Sequence, residues 1–225
     1  MESELVGIAE SVRRDGYAVV KNVVPLSEVL GLLAEAERSM CDGAGDRNAL
    51  AWPWVSRLAA DPRLARLATA CLSGPVRPVR GILFDKVPGA NWKLGYHQDR
   101  ALALREKRDV EGFVGWSVKD GVVHALAPAE VLERMVAVRL SLDDCGPDNG
   151  PLRVVPGSHL HGLLPKGTGV ASEVSCNLSA GGVVLMKPLT LHASSAATSP
   201  SHRRVLHIEY ITGGLPGGLE FHDWS

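Results

Sequence analysis

A histidine and an aspartate stand two positions apart in the segment NWKLGYHQD, which covers residues 91–99. If this segment is a strand, His97 and Asp99 point to the same face of it, because side chains alternate along a strand. An imidazole and a carboxylate on one face suit a shared ligand such as a metal ion. An H-x-D triplet is common by chance, so a surface pair is the ordinary interpretation of these two residues alone.

A third ligand from a distant strand would complete an iron site. Two histidines and one carboxylate form the facial triad of non-haem Fe(II) oxygenases, which leaves other coordination positions open. Among the eight histidines, His192 in KPLTLHASSA is the best candidate, with Thr190 and Ser194 on its own face of a β-like segment. His159 and His161 form an H-x-H pair, which is an alternative metal pair that follows a Pro-Gly-Ser turn.

An arginine follows the distal histidine by eleven residues. Arg203 carries a planar set of donors that binds a carboxylate bidentately, as a cosubstrate with a distal carboxylate requires. The neighbouring Arg204 must point the other way if the segment is a strand. Without this context, either residue would be interpreted as a surface arginine.

The bulk composition is that of an ordinary globular protein. The chain has 225 residues, of which 45% are hydrophobic and 22% charged, with a formal net charge of −1. This balance gives no indication of nucleic-acid binding, and no apolar run approaches the length of a membrane span. The first twenty residues do not have the pattern of a secretory signal peptide, and the four cysteines are scattered without a C-x-x-C motif. We therefore expect a cytoplasmic protein with free thiols.

The order of the segments predicts a mainly β protein with flanking helices. We expect a single domain over 1–225, with a mostly helical lead-in over 1–75 and a β-barrel body over 76–212. In the lead-in, Asp61, Pro62 and Gly74 are the predicted N-cap, first turn and stop of one helix. In the body, short β-branched segments alternate with Gly and Pro punctuation. The charged stretch 100–121 is predicted to be a loop that covers a site.

Two strand-like segments have an unusually polar second face. In MVAVRLSLDD, the apolar positions alternate with Arg139 and Ser141, and in RRVLHIEYIT they alternate with Arg203, His207 and Glu209. This face is either a solvated outer surface or the polar interior of a barrel that holds an active site, and the pattern alone does not decide.

Arg139 on this polar face must be solvated, paired or in use, because a buried unpaired charge is very costly. We expect it to point into the barrel and to meet an anionic or strongly polar group of a substrate or cosubstrate. The alternative is an ion pair with Asp143 or Glu209.

In the order and content of these segments, the chain resembles the phytanoyl-CoA dioxygenase family of Fe(II)/2-oxoglutarate oxygenases. The resemblance runs from about Asp15 to Tyr210, and NGPLRVVPGSH is its most specific segment. The matching segments, in the order of the family, are DGYAVVKNVVP, FDKVPG, GYHQD, RLSLDDCGPDNGPLRVVPGSH and LHASSAATSPSHRRVLHIEY.

The resemblance implies a fold, a set of cofactors and a set of site residues. The fold is a double-stranded β-helix, a jelly-roll or cupin-like barrel, and the cofactors are Fe(II), 2-oxoglutarate and O2. His97, Asp99 and His192 are implied as catalytic metal ligands. Arg203 is implied as the partner of the 2-oxoglutarate C5 carboxylate, assisted by Ser194.

The implied activity is hydroxylation of a small molecule, coupled to decarboxylation of 2-oxoglutarate to succinate. Halogenation is disfavoured, because related halogenases lack the carboxylate that Asp99 supplies. The family often has an aromatic residue in the strand where this chain has Arg139 and Ser141, so the usual substrate contacts do not carry over. Two alternatives remain: a cupin-like isomerase or hydrolase that does not use 2-oxoglutarate, and a non-catalytic binding barrel.

Overall fold

The structure is a computed structural model that describes residues 2–40, 45–198 and 201–224. No helix in these ranges is both long and apolar enough to cross a membrane. The α-helices within them are α1 (Glu2–Asp15), α2 (Leu26–Ser39), α3 (Pro53–Ala59), α4 (Pro62–Leu72) and α5 (Ala129–Leu132). The strands are β1 (Tyr17–Val20), β2 (Gly45–Asp46), β3 (Val76–Lys86), β4 (Leu94–His97), β5 (Ala101–Leu104), β6 (Val114–Lys119), β7 (Val122–Leu126), β8 (Met135–Ser141), β9 (Leu152–Val154), β10 (Val174–Cys176), β11 (Val183–Met186), β12 (His192–Ser194) and β13 (Arg203–Thr212).

Helix α4 shows how local chemistry sets the boundaries of the helical lead-in. The Asp61 carboxylate accepts the backbone N–H of Arg63 at 2.8 Å, and Pro62 occupies the first turn, where a missing N–H costs nothing. The helix ends at Ser73, whose φ of 54° is left-handed, and Gly74 follows it. The predicted N-cap is therefore confirmed, and the helix ends just before the predicted stop.

The larger sheet packs its apolar face against the helices. Its strand order is β1-β11-β8-β13-β3-β2, and its pairs are antiparallel. The alternate positions Val136, Val138 and Leu140 of β8 and Leu206 and Ile208 of β13 are fully buried in the core shared with α1 to α4. Each such side chain contributes about 1.5–3 kcal/mol by leaving water, so this layer fixes which face of each strand points away from the helices.

The smaller sheet closes the other side of a cavity. Its strand order is β10-β9-β12-β4, so β12 lies between β9 and β4. His97 and His192 of this sheet line the same cavity as Arg139 and His207 of the larger one. The two facing antiparallel sheets form the predicted double-stranded β-helix with flanking helices. Because Arg139 and His207 are 9% and 2% exposed, the polar strand face is the barrel interior, and the alternative of a solvated outer face is wrong.

The prediction of a loop over 100–121 differs from the structure. Strands β5 and β6 lie within this stretch and pair with β7 in an antiparallel sheet of their own. Leu102, Leu104 and Phe113 are buried in a second apolar cluster beneath it, and this burial drives strand formation despite the charged residues between them. Ala101 of β5 and Leu126 of β7 line the cavity. That the segment covers the site stays a prediction.

Candidate metal and cosubstrate site

Three side chains converge at the cavity wall formed by the smaller sheet. One ligand atom each from His97, Asp99 and His192 lies within 4.8 Å of the others. The Nε2 atoms of His97 and His192 both lie 3.5 Å from an Asp99 carboxylate oxygen. The two histidines meet because they are direct cross-strand partners on β4 and β12, with ring centroids 4.2 Å apart. Asp99 joins them by following His97 at a spacing of two residues.

The hydrogen bonds behind the two rings fit them for metal binding. Nδ1 of His97 donates to the Gly95 carbonyl at 2.8 Å, and Nδ1 of His192 donates to the Thr190 carbonyl at 2.9 Å. Each ring is therefore anchored through Nδ1 and presents Nε2 on the side of Asp99, where a metal ion would bind. Such outer bonds fix the tautomer and orientation of histidine ligands. Two imidazole nitrogens and one carboxylate suit a ferrous ion, so the three residues fit the implied metal.

Burial and charge prepare these groups to act as ligands. Burial lowers the pKa of His192 to about 4, so this ring is neutral at physiological pH. Burial opposes ionisation of Asp99, but the neighbouring His192 and His97 outweigh it and hold the Asp99 pKa far below its usual range. For His97, burial lowers the pKa, while the hydrogen bond and charge of Asp99 act in the other direction and leave it raised.

Gln98, the middle residue of the H-x-D triplet, anchors the chain between the two ligands His97 and Asp99. Its Nε2 donates to the carbonyls of Gly162 and Leu189 at 2.8 and 2.6 Å, and its Oε1 accepts the N–H of Leu164 at 2.9 Å. Sequence reasoning missed this residue. Its position opposite the two ligands was the available signal, since alternation turns its side chain away from the metal.

Arg203 points into the cavity, and Arg204 points away from it. Arg203 is 3% exposed, its Nη1 donates to the Gly150 carbonyl at 2.6 Å, and its Nε has no partner among the described residues. On the opposite face, Arg204 forms ion pairs with Asp143 at 2.8 Å and with Glu37 at 2.9 Å. The expected directions are thus observed, while the binding of a carboxylate by Arg203 stays a prediction.

A second buried cation, which sequence reasoning missed, lies beside Arg203. Lys86 is 1% exposed, and its Nζ donates to Ser194 Oγ at 2.9 Å and to the Ser195 carbonyl. Ser194 Oγ in turn donates to the Gly150 carbonyl at 3.2 Å, the same oxygen that Arg203 contacts. Burial and the charge of Arg203 lower the pKa of Lys86 to about 8. Its place beside Arg203 follows from the register between β3 and β13, where the two residues are direct partners, and a single sequence does not show this register.

Arg139 points into the barrel, as expected. It lines the cavity, its Nη1 donates to Nδ1 of His207 at 2.8 Å, and its guanidinium lies 5.5 Å from the centre of the Phe84 ring. Burial lowers its pKa to about 10. The Asp143 carboxylate is bound to Arg204 instead, so that alternative partner does not take it. Contact of Arg139 with an anionic ligand stays a prediction.

The alternative metal pair, His159 and His161, is not part of the metal-ligand grouping in the described residues. His159 and His161 lie in a short 3-10 helix, and Nε2 of His159 lies 3.1 Å from the Arg13 carbonyl. Within the described ranges, the His97 triad is the grouping with metal-ligand geometry. Cys71, Cys145 and Cys176 are free thiols, as expected, and Cys41 lies outside the described residues.

Comparisons with known proteins agree with this geometry. The profile of the family described as Phytanoyl-CoA dioxygenase (PhyH) matches residues 12–205. The ectoine dioxygenase of Bordetella bronchiseptica is 28% identical, over 89% of this chain and 73% of its own length.

Solved structures share the fold. The non-heme alpha ketoglutarate dependent epimerase SnoN from nogalamycin biosynthesis superposes with a TM-score of 0.70 at 23% identity, covering 99% of this chain and 94% of SnoN. HygX from Streptomyces hygroscopicus, solved with nickel and 2-oxoglutarate bound, gives a TM-score of 0.65 at 21% identity, with 91% and 85% covered.

Proposed function

The chain belongs to the phytanoyl-CoA dioxygenase family, and we propose that it is an Fe(II)- and 2-oxoglutarate-dependent dioxygenase that hydroxylates a small molecule. The observation that supports this most directly is the convergence of the His97, Asp99 and His192 ligand atoms within 4.8 Å. The ectoine dioxygenase relative, at 28% identity, supports an oxygenase reaction.

His97, Asp99 and His192 would hold Fe(II) on one face, through Nε2 of each ring and one carboxylate oxygen. When bound, Fe(II) and 2-oxoglutarate supply the oxidation: one atom of O2 enters a C–H bond of the substrate, the other enters succinate, and carbon dioxide leaves. The carbonyls of Gly95 and Thr190 keep the two rings oriented. The Asp99 carboxylate stays ionised and offsets part of the metal charge.

Arg203 and Lys86 would bind the distal carboxylate of 2-oxoglutarate. Both are buried beside the Gly150 carbonyl and Ser194, and the free Nε–H of Arg203 gives the guanidinium an unused donor. A carboxylate placed here gains charge-assisted hydrogen bonds in a site that excludes water. Ser194 would position the anion through its hydroxyl.

Apolar side chains form part of the lining of the remaining space, beside the charged residues Arg80, Arg100, Arg139 and Glu209. Ile82, Phe84, Leu126 and Leu152 line the cavity, whose volume is about 280 Å³. This size and lining fit a small molecule rather than a polymer.

The rival activities lack comparable support. An isomerase or hydrolase that does not use 2-oxoglutarate has no need for the buried Arg203 and Lys86 pair. A non-catalytic barrel has no need for an intact metal triad. The presence of Asp99 also favours hydroxylation over halogenation.

The test is anaerobic addition of 2-oxoglutarate to the Fe(II)-loaded protein, followed by admission of O2. We expect the visible charge-transfer band of a 2-oxoglutarate–Fe(II) chelate and then release of succinate. The His192→Ala variant should give neither signal, while Arg105→Gln, an exposed arginine paired with Glu220, should match the wild type. Absence of the band in the folded wild-type protein would remove the proposed function.

A further inference from the structure

The inner face of the larger sheet has two charged ends, and the first is the 2-oxoglutarate end. Along the pairing of β3 with β13, Lys86 lies opposite Arg203 at one end, and Arg80 lies opposite Glu209 at the other. Six residues of extended strand separate Arg203 from Glu209, which is about 20 Å at 3.3 Å per residue. A five-carbon diacid is far shorter than this. The 2-oxoglutarate bound at Arg203 therefore leaves the second end free for another molecule.

Arg80 at the second end, and Arg100 next to the Ala101 carbonyl that Arg80 contacts, each have a buried Nε without a partner in the described part of the chain. Arg80 is 8% exposed and donates through Nη1 to the Ala101 carbonyl at 3.1 Å, while its Nε has no partner among the described residues. The Nε of Arg100 is likewise buried without a partner in the described part of the chain. Both side chains line the cavity. Leaving a buried charged donor unsatisfied is costly, which suggests that a ligand completes these bonds.

The carboxylate at this end, Glu209, forms a long ion pair with Arg80 that does not use the Nε of that arginine. Glu209 approaches Arg80 only to 3.8 Å, and its other neighbour is Nε2 of His207 at 3.4 Å. His207 accepts from Arg139 at Nδ1, so its proton is on Nε2 and faces Glu209. Glu209 thus shares its contacts between Arg80 and His207, and the Nε of Arg80 is left for another acceptor.

We propose that the substrate is a small carboxylic acid whose carboxylate binds Arg80 and Arg100. This inference rests on the proposed function, and it assigns the opposite end of the cavity to the substrate. The free Nε–H of Arg80 and that of Arg100 donate to the carboxylate oxygens, because a guanidinium presents paired donors that match this planar anion. The rest of the substrate extends along Ile82 and Leu126 towards the metal residues.

The test is saturation-transfer NMR on protein loaded with Zn(II) and 2-oxoglutarate. Zn(II) is redox-silent, so the substrate binds without being oxidised. The probes are a panel of linear and cyclic monocarboxylic acids, each with its carboxamide, sulfonate and phosphate ester counterpart. We expect carboxylates to bind and the matched carboxamides to bind far less. Arg80→Gln and Arg100→Gln should each weaken the best acid on the order of 10- to 100-fold, the effect of one lost charged hydrogen bond, while Arg105→Gln leaves it unchanged.

The outcomes separate this inference from the proposed function. The Fe(II)–2-oxoglutarate band is measured in each variant, and Arg80→Gln and Arg100→Gln should retain it at unchanged 2-oxoglutarate affinity. With the band intact, failure of every acid to bind, equal binding of acids and carboxamides, or preference for the sulfonates or phosphates would overturn the inference alone. Unchanged acid binding in both arginine variants would do the same. Loss of the band in the wild type would instead remove the proposed function.

Discussion

Replacement of Arg203 should separate cosubstrate binding from folding. The guanidinium is 3% exposed, its Nη1 contacts the Gly150 carbonyl and Cys145 Sγ, and its Nε has no partner among the described residues, so a bound carboxylate would meet it in a buried site. Loss of such a buried charged contact costs about 2–5 kcal/mol. Since each 1.4 kcal/mol is tenfold, the dissociation constant of 2-oxoglutarate for Arg203→Ala should rise from about 30-fold to several thousand-fold.

Arg204→Ala is the matched control, because the two arginines are neighbours on opposite faces of β13. Arg204 forms a partly buried ion pair with Asp143, and the Asp143 carboxylate would lose its charged partner. The free energy of unfolding should fall by about 3 kcal/mol in this variant, with little change in 2-oxoglutarate affinity. Titration of the charge-transfer band gives the affinities, and denaturant unfolding of the metal-free proteins gives the stabilities. Equal 2-oxoglutarate affinity in both variants, or the reverse ranking, would refute the assignment of Arg203.

Three further results are expected. Metal affinity, measured by Co(II) titration, should fall as pH drops through the raised pKa of His97, because a protonated ring cannot ligate; a pH-independent affinity around neutrality would contradict the triad. Affinity for 2-oxoglutarate should weaken above about pH 8 as Lys86 loses its proton, and Lys86→Met should remove this dependence; persistence of the dependence would exclude Lys86. Gly150→Ala should weaken 2-oxoglutarate without affecting the metal, because φ is +71° and a Cβ would overlap the Ser195 carbonyl; unchanged affinity would show that the Gly150 carbonyl does not shape the anion site.

The parts of the site that sequence reasoning predicted are those governed by spacing along one strand. His97 and Asp99 meet at a spacing of two residues, although β4 ends at His97 and Asp99 follows the strand, and Arg203 faces opposite to Arg204 by alternation along β13. The direction of Arg139 followed from the filled apolar face of β8. His192 was the best candidate because it lies in a β-like segment with Thr190 and Ser194 on its own face, and the family resemblance supported it; the local pattern alone does not specify which distant strand lies beside β4.

The parts that were missed depend on register between strands. Lys86 and Arg80 belong to the site because β3 pairs with β13 so that they face Arg203 and Glu209. Strands β3 and β13 are far apart in the chain, and no local pattern in a single sequence fixes the register between them. Strand β5 was missed for another reason. It is short and followed by charged residues, and burial of Leu102 and Leu104 outweighs that local signal.

The two sheets contribute different groups to the cavity, and the packing of each sheet explains which groups it contributes. The smaller sheet holds the metal residues on short strands, where backbone carbonyls fix each ring and leave little freedom. The larger sheet carries its charges on β3, β8 and β13, which the helices fix from behind through the apolar core. Because that core determines the register, it also sets the distance between the Arg203 end and the Arg80 end. The spacing of the two proposed anion sites is therefore a property of the packed sheet, and we expect substitutions at either end to change the ligand without displacing a metal bound at the His97 triad.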